Sequence, residues 1–217
     1  MSYYFGLNIE KEYKYYKKNF KKYFPKDRKI KILDYGCGAG AGLYYCIKEG
    51  YMNITGIDIN ETAVELSSKL AGKFRVFLVS EEFTTNDKYD LILLIDVLEH
   101  IKKEKISSFL SNINSMLNQN GMLIIRTINA NCPIASQTRY NGFDHELSFT
   151  VDSFKYYLEQ SGFTSMIKGE SHYNPIINCI RMFFNLLTKI YYAVYGSDFK
   201  RPVSKQLIAI CKNDKLY

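Results

Sequence analysis

The segment Tyr89-Asp90-Leu91-Ile92-Leu93-Leu94-Ile95 constrains this chain more than any other feature. Its apolar run has the length of a strand, and it lacks the alternation of a strand with one wet face, so both faces must be covered. Similar runs recur with helical patterns between them. Lys29–Asp34 reads as a strand, Ala41–Glu49 as a helix ended by Gly50, Asn53–Asp58 as a strand and Glu61–Leu70 as a helix ended by Gly72. Phe74–Val79 is a further strand. Ile106, Phe109, Leu110, Ile113 and Leu117 form one helical stripe, and Gly121 opens the strand Met122–Thr127. Strands buried on both faces and separated by helices specify an α/β fold with a doubly wound, mainly parallel sheet. An irregular stretch, Asn129–Thr150, is followed by a helix Val151–Gln160, a short strand Thr164–Lys168, an apolar helix Ile176–Tyr195 and a last strand Lys205–Lys212. The 217 residues suit one domain: an N-terminal helical segment 1–28, a core 29–128 and a further part 129–217.

Charge is unevenly placed. The chain carries 29 Lys and Arg against 22 Asp and Glu, and residues 1–31 hold 10 and 3 of these, so the whole net charge of +7 sits at the N-terminus. There Tyr13, Tyr16, Phe20, Tyr23 and Phe24 recur at helical spacing with lysines opposite, an amphipathic helix closed by Pro25. It reads as a packed helix, a lid over a ligand, or a basic strip facing nucleic acid or an anionic membrane. Aromatics segregated from lysines argue against stacking on bases. Five scattered cysteines without CxxC spacing, and no basic-then-apolar leader, predict reduced thiols in a cytoplasmic protein.

Ile32-Leu33-Asp34-Tyr35-Gly36-Cys37-Gly38-Ala39-Gly40-Ala41 turns from strand into helix. Glycines let the backbone take positive φ and approach a ligand closely, and Asp58 ends the next strand, placed to bind two ribose hydroxyls. Gly36-x-Gly38-x-x-Ala41 also satisfies a dinucleotide fingerprint. Asp34 separates the two readings: a carboxylate at the strand end repels a pyrophosphate and attracts a ligand bearing ammonium and sulfonium charges.

Ile32–Gly40, Ile54–Asp58, Tyr89–His100 and Gly121–Thr127 resemble the successive motifs of class I S-adenosylmethionine-dependent methyltransferases. The resemblance implies a seven-stranded sheet whose last strand, here Lys205–Lys212, is antiparallel, with S-adenosylmethionine as cofactor. It implies that Asp34, Gly36, Cys37, Gly38 and Gly40 hold the methionine part of the cofactor and Asp58 its ribose. Ile59 would pack on the adenine, Ser80 and Glu81 (or Glu82) would meet the adenine amine, and Ile95 would touch the cofactor after the fourth strand.

Open α/β sheets bind ligands at the carboxyl ends of their strands, which draws attention to Asp96-Val97-Leu98-Glu99-His100. The spacing predicts Asp96, Glu99 and His100 on one helical face. The group is similar to the acid-x-x-Glu-His set of two metal-dependent branches, the ubiquinone-pathway O-methyltransferases and the small-RNA 3′-terminal 2′-O-methyltransferases. Asp96 stands where those branches usually have Glu, so a divalent cation on Asp96, Glu99 and His100 is not the favoured reading, and Asp96 and His100 are candidate catalytic groups instead. His145 is the other catalytic candidate. The segment His145–Phe163 resembles the His-x-x-x-Phe-Thr…Gly-Phe pattern of small-molecule, quinone and saccharide methyltransferases, and Arg139 and Tyr140 nearby suit a phosphate or sugar. His172 reads as a packing residue.

Ile176–Tyr195 has 15 apolar residues in 20, but Asn178, Arg181, Asn185 and Lys189 make a membrane span costly. It reads as a pocket wall or a helix lying on a bilayer, with Lys168, Lys200, Arg201 and Lys205 leaning toward anionic lipid or a phosphate-bearing acceptor. The expected function is O-methylation of a small-molecule, saccharide or lipid-linked acceptor, with a cell-surface glycan as the first guess. RNA 2′-O-methylation and a non-catalytic cofactor-binding partner subunit are the alternatives, and nucleic acid is the less favoured partner.

Overall fold

The computed structural model describes residues 8–72, 74–132, 135–194, 202 and 204–213. Seven strands form one sheet: β1 (Lys31–Tyr35), β2 (Asn53–Asp58), β3 (Arg75–Leu78), β4 (Tyr89–Ile95), β5 (Leu117–Ile128), β6 (Phe163–Gly169) and β7 (Gln206–Asn213). Their order is β3-β2-β1-β4-β5-β7-β6. The pairs β1–β2, β1–β4, β2–β3 and β4–β5 are parallel, and β7 runs antiparallel to both β5 and β6. The chain reverses direction across the sheet between β1 and β4, the switch point at which such sheets open a crevice.

Alternation along each strand builds two cores. Leu33, Ile92, Leu94, Leu123 and Ile125 face one side, under α4 (Ile106–Ser115) and α6 (Val151–Gln160). Ile32, Leu91, Leu93 and Ile124 face the other, under α1 (Ile9–Asn19) and α2 (Ala41–Lys48). Helix α3 (Glu61–Ala71) lies between β2 and β3. Local chemistry sets the helix starts: the Asn60 side chain accepts from Ala63 N–H at 3.1 Å, and Thr150 with Ser153 forms a reciprocal capping box.

The N-terminal helix ends at Asn19, and a 3₁₀ turn at Lys21–Tyr23 carries the chain to Pro25. Its Tyr16, with Phe20 and Phe24 beyond it, is buried against Tyr45 and Tyr51 of the core while the lysines stay outside, as its stripe predicts. Four boundaries differ from expectation, the first being this helix, which stops at Asn19 and leaves Phe20 and Phe24 beyond it instead of running on to Pro25. Leu117 belongs to β5 rather than to the α4 stripe, because Leu117 pairs with Tyr89 and the register then jumps to Met122 opposite Leu91. Asn120, at φ +60°, and Gly121 absorb that irregularity. The stretch expected to be irregular contains a short helix, α5 (Ala135–Asn141), and the apolar helix α7 spans Pro175–Val194. Among the described residues no helix is long and apolar enough to cross a membrane. Tyr195, Lys200 and Arg201 lie outside the described residues.

Candidate active site

The glycine turn sits at the carboxyl end of β1. Gly36, Gly38 and Gly40 all have positive φ, at +70°, +52° and +90°. At Gly36 the conformation and the space agree, since a Cβ there would collide with the Val97 side chain. Gly36 and Cys37 donate their N–H groups to Ile57 O at 2.8 and 2.9 Å, which ties the turn to β2. Asp58 completes it: one carboxylate oxygen accepts from Gly38 N–H at 2.8 Å and the other from Asn60 N–H at 2.9 Å. Each oxygen keeps a second lone pair, the requirement for holding two vicinal hydroxyls.

Asp34 does not stand at the mouth of the turn, as the sequence reading supposed. Its side chain is 2% exposed, lies beneath Gly42, and accepts the Leu43 N–H near the start of α2. The anion position that a helix N-terminus offers is therefore taken by a carboxylate of the protein itself. A pyrophosphate has no place there. One oxygen of Asp34 is buried with no hydrogen-bond partner among the described residues. Burial, and next the Asp58 carboxylate, push the Asp34 carboxyl up to about 7. Two acids thus flank the turn, one with an orphaned oxygen, as a ligand carrying positive charge requires. S-adenosylmethionine fits this donor set, and the glycines leave the room a Cβ would fill.

Cys37 turns its side chain inward: its thiol donates to Ser67 Oγ at 3.7 Å inside the core, and its backbone N–H and C=O bond Ile57 and Gly40, which fixes the shape of the turn. Ile59 is 58% exposed beside Asp58, open to a flat partner. Ser80 begins a turn closed by Phe83 N–H, Glu82 is engaged by Lys105 at 3.0 Å, and Glu81 remains exposed as the acid of that loop.

The predicted Asp96/Glu99/His100 face does not form. Asp96 has φ +56° and Leu98–His100 is a 3₁₀ turn, so the three residues do not share the face of an α-helix. Arg126 grips Asp96 through Nε at 2.7 Å and through Nη2, which occupies both carboxylate oxygens. This pair takes Asp96 out of the role of base. Arg126 also lies 4.8 Å over the ring of Tyr15 on α1, and Tyr15 in turn donates to Glu170 at 3.1 Å. Helix α1 therefore closes over the ends of β4 and β5. Glu99 is buried and paired with Thr127 Oγ1 at 3.0 Å. Burial foremost, then Asp96, drives its carboxyl well above the ordinary range. With Asp96 in the grip of Arg126 and Glu99 inside the core, the acid-x-x-Glu-His cation set is not assembled.

His100 instead meets residues from the distant loop. Its Nδ1 lies 3.2 Å from both the carbonyl and the carboxylate of Asp144, and its ring centre is 4.8 Å from that of His145. His145 Nδ1 lies 3.0 Å from the Thr138 carbonyl on α5. Carbonyls and carboxylates only accept, so each Nδ1 is the donor of its contact, and in the neutral imidazole the lone pair is then on Nε2. Gly142 makes the seat, since a Cβ there would come within 2.6 Å of the His145 ring. Glu146 and Leu147 N–H bind Glu99 O at 2.7 and 3.1 Å, which docks the loop on the end of β4. His100 N–H donates to Val97 O at 3.0 Å, and Val97 covers Gly36, so the histidines share an edge with the glycine turn. One ligand atom from each of His100, Asp144 and His145 lies within 4.8 Å of the others, a spacing that a metal ion could also use. Arg139 is spent on Glu146 O at 2.7 Å, and Tyr140 is 75% exposed. His172 accepts from Asn174 N–H at 3.0 Å, a local turn.

Sequence reasoning missed Arg126, Asp144 and Tyr15. An arginine inside the apolar strand Met122–Thr127 was the available signal for the first; no local pattern marked the others.

A seven-stranded sheet with this order, a glycine turn after β1 and an acid at the end of β2 define the class I methyltransferase fold. A family model described as a methyltransferase domain matches residues 9–166. The ubiquinone biosynthesis O-methyltransferase of Rickettsia felis is 35% identical over 106 residues, 46% of this chain and 42% of that protein. Its counterpart in Rickettsia bellii is 30% identical over 105 residues, again 46% and 42%. The match thus spans under half the length of these relatives. A SAM-dependent methyltransferase from Archaeoglobus fulgidus superposes with a TM-score of 0.72 at 20% identity, covering 97% of this chain and 100% of that one. The plantazolicin methyltransferase BpumL, solved with SAH, gives 0.59 at 20% identity over 95% and 83%. The chain belongs to the methyltransferase-domain family, and its cofactor is that of the S-adenosylmethionine-dependent class.

Proposed function

We propose that the protein methylates a hydroxyl oxygen of a small, saccharide or lipid-linked acceptor, with His145 as the general base. S-adenosylmethionine supplies, when bound, a methyl group on a cationic sulfur. Asp34 and Asp58 counter that charge and grip the ribose, and α1 with Tyr15 and Arg126 closes the edge against water. The acceptor oxygen would take the methyl group in line as the carbon–sulfur bond breaks to leave a neutral thioether, and its proton would pass to His145 Nε2. The observation that carries this reading is the hydrogen bond from His145 Nδ1 to Thr138 O, which leaves Nε2 as the acceptor nitrogen. His100, held at Nδ1 by Asp144, lies beside it with ring centres 4.8 Å apart. The O-methyltransferase names of the matched relatives support an oxygen acceptor. RNA is disfavoured because Tyr16, Phe20 and Phe24 are buried, leaving no stacking platform on α1.

The test uses methyl-labelled cofactor and fractionated cell extract to find the acceptor, followed by His145→Ala. Transfer should fall by about 100-fold or more with S-adenosylmethionine affinity unchanged by calorimetry. Full activity in the variant removes His145 as the base.

A further inference from the structure

Helix α7 is amphipathic the wrong way round for a helix on a water-soluble protein. Its half-covered positions are Asn178, Arg181, Asn185, Thr188 and Tyr192, one polar stripe at alternating spacings of three and four. The first part of that stripe is tied to the body of the protein, where Asn178 accepts from His172 N–H at 3.1 Å and Arg181 pairs with Glu170 at 3.6 Å. The apolar side chains point away. Ile180, Met182, Phe183, Phe184, Leu187 and Ile190 are between 44% and 63% exposed, and no residue of α7 is buried among the described residues. At 100° per residue the apolar positions sweep an arc of about 220° from Met182 to Ile177.

We propose that α7 docks the protein in plane on an anionic lipid bilayer, its apolar arc sunk among the acyl chains and its polar stripe bearing the folded domain. Two observations choose a bilayer over a second protein. A partner helix or a flat protein face covers a stripe of roughly 100°, whereas a fluid apolar phase wraps a helix on three sides. The root of α7 is also fastened to the most basic part of the chain. Asn19 bonds Ser171 in both directions at 2.9 and 2.8 Å, and Lys168 Nζ donates to Asn19 O at 3.0 Å. This fixes the exposed Lys17, Lys18, Lys21 and Lys22 beside the helix that would enter the lipid. Lys168, pulled down to about 8 by burial and then by Lys22, gains from a nearby anion.

The docked edge is the catalytic one. Gly169 ends β6 opposite Leu207, Leu207 pairs with Thr127 of β5, and Asn129 holds the returning chain through Pro202 O at 2.8 Å and Ser204 O at 2.7 Å. An acceptor carried on a lipid would meet His145 without leaving the membrane. That consequence rests on the O-methyltransferase reading; the docking itself does not.

Sedimentation of the full chain with vesicles tests it. Vesicles of phosphatidylcholine containing about one third phosphatidylglycerol should pull the protein down, and pure phosphatidylcholine should do so several-fold less. Phe183→Asp together with Leu187→Asp, both at exposed positions, should lower partition at least about 30-fold. S-adenosylmethionine affinity and the thermal midpoint should stay as in the parent, which separates this test from any failure of the catalytic reading. Failure to bind either vesicle, binding that the double variant retains, or a solution dimer that the double variant dissociates would each overturn the proposal.

Discussion

The two halves of the catalytic edge are built in opposite ways. On the cofactor side, Asp34, Gly36, Gly38, Gly40 and Asp58 come from two short segments, their backbone groups bond one another, and both acids are nearly or fully buried. On the acceptor side, His100, Asp144 and His145 come from the end of β4 and a loop more than forty residues away, and their contacts are side chain to carbonyl at the surface. The difference follows from what each must recognise. A cofactor of constant shape can be met by rigid backbone, whereas an acceptor must be approached by parts that move without unfolding the sheet.

Asp58→Ala strikes the cofactor side hardest. It removes two prospective ribose bonds and frees Gly38 and Asn60 N–H, so calorimetry should show S-adenosylmethionine affinity down about 100-fold. A small loss would mean that the rigid half is less tightly bound to its carboxylate than the geometry indicates. On the other half, Gly142→Ala should displace the His145 ring and lower kcat about 30-fold with cofactor affinity untouched. Equal losses in both quantities would show the halves to be coupled through more than Val97.

Proton uptake sharpens the comparison with a smaller effect. Asp34 is raised from its ordinary value to about 7 by burial and by Asp58. Its contribution to the stability of the cofactor-free protein is therefore fully present below the usual carboxylate range and is lost as pH rises through about 7. Glu99 acts in the same direction. A cationic ligand needs Asp34 ionised, so affinity should weaken about tenfold from pH 8 to pH 6. Binding near neutrality should release a proton, seen as a buffer-dependent heat. Flat affinity across that range would place the positive charge of the ligand away from Asp34.

These contrasts also explain what could be read early. The glycine turn and Asp58 were legible because their geometry is local: a strand, a tight turn and a helix in consecutive residues. Asp34 is singled out by electrostatics but its place is not, since sequence spacing does not say that its carboxyl slides under Gly42 to meet Leu43. The Asp96/Glu99/His100 face failed because an i, i+3, i+4 pattern assumes an α-helix, and a positive φ at Asp96 breaks that assumption.

Sequence alone determined the parallel core, the order of strands and helices, and a turn able to hold a methyl donor, because hydrophobic period and glycine placement act over a few residues. Tertiary structure alone decided that Arg126 takes Asp96, that Asp144 and His145 come to His100, and that α7 turns its apolar side outward. Each of these joins residues far apart in the chain, and their meeting is set by how the sheet brings its edges together rather than by any local preference.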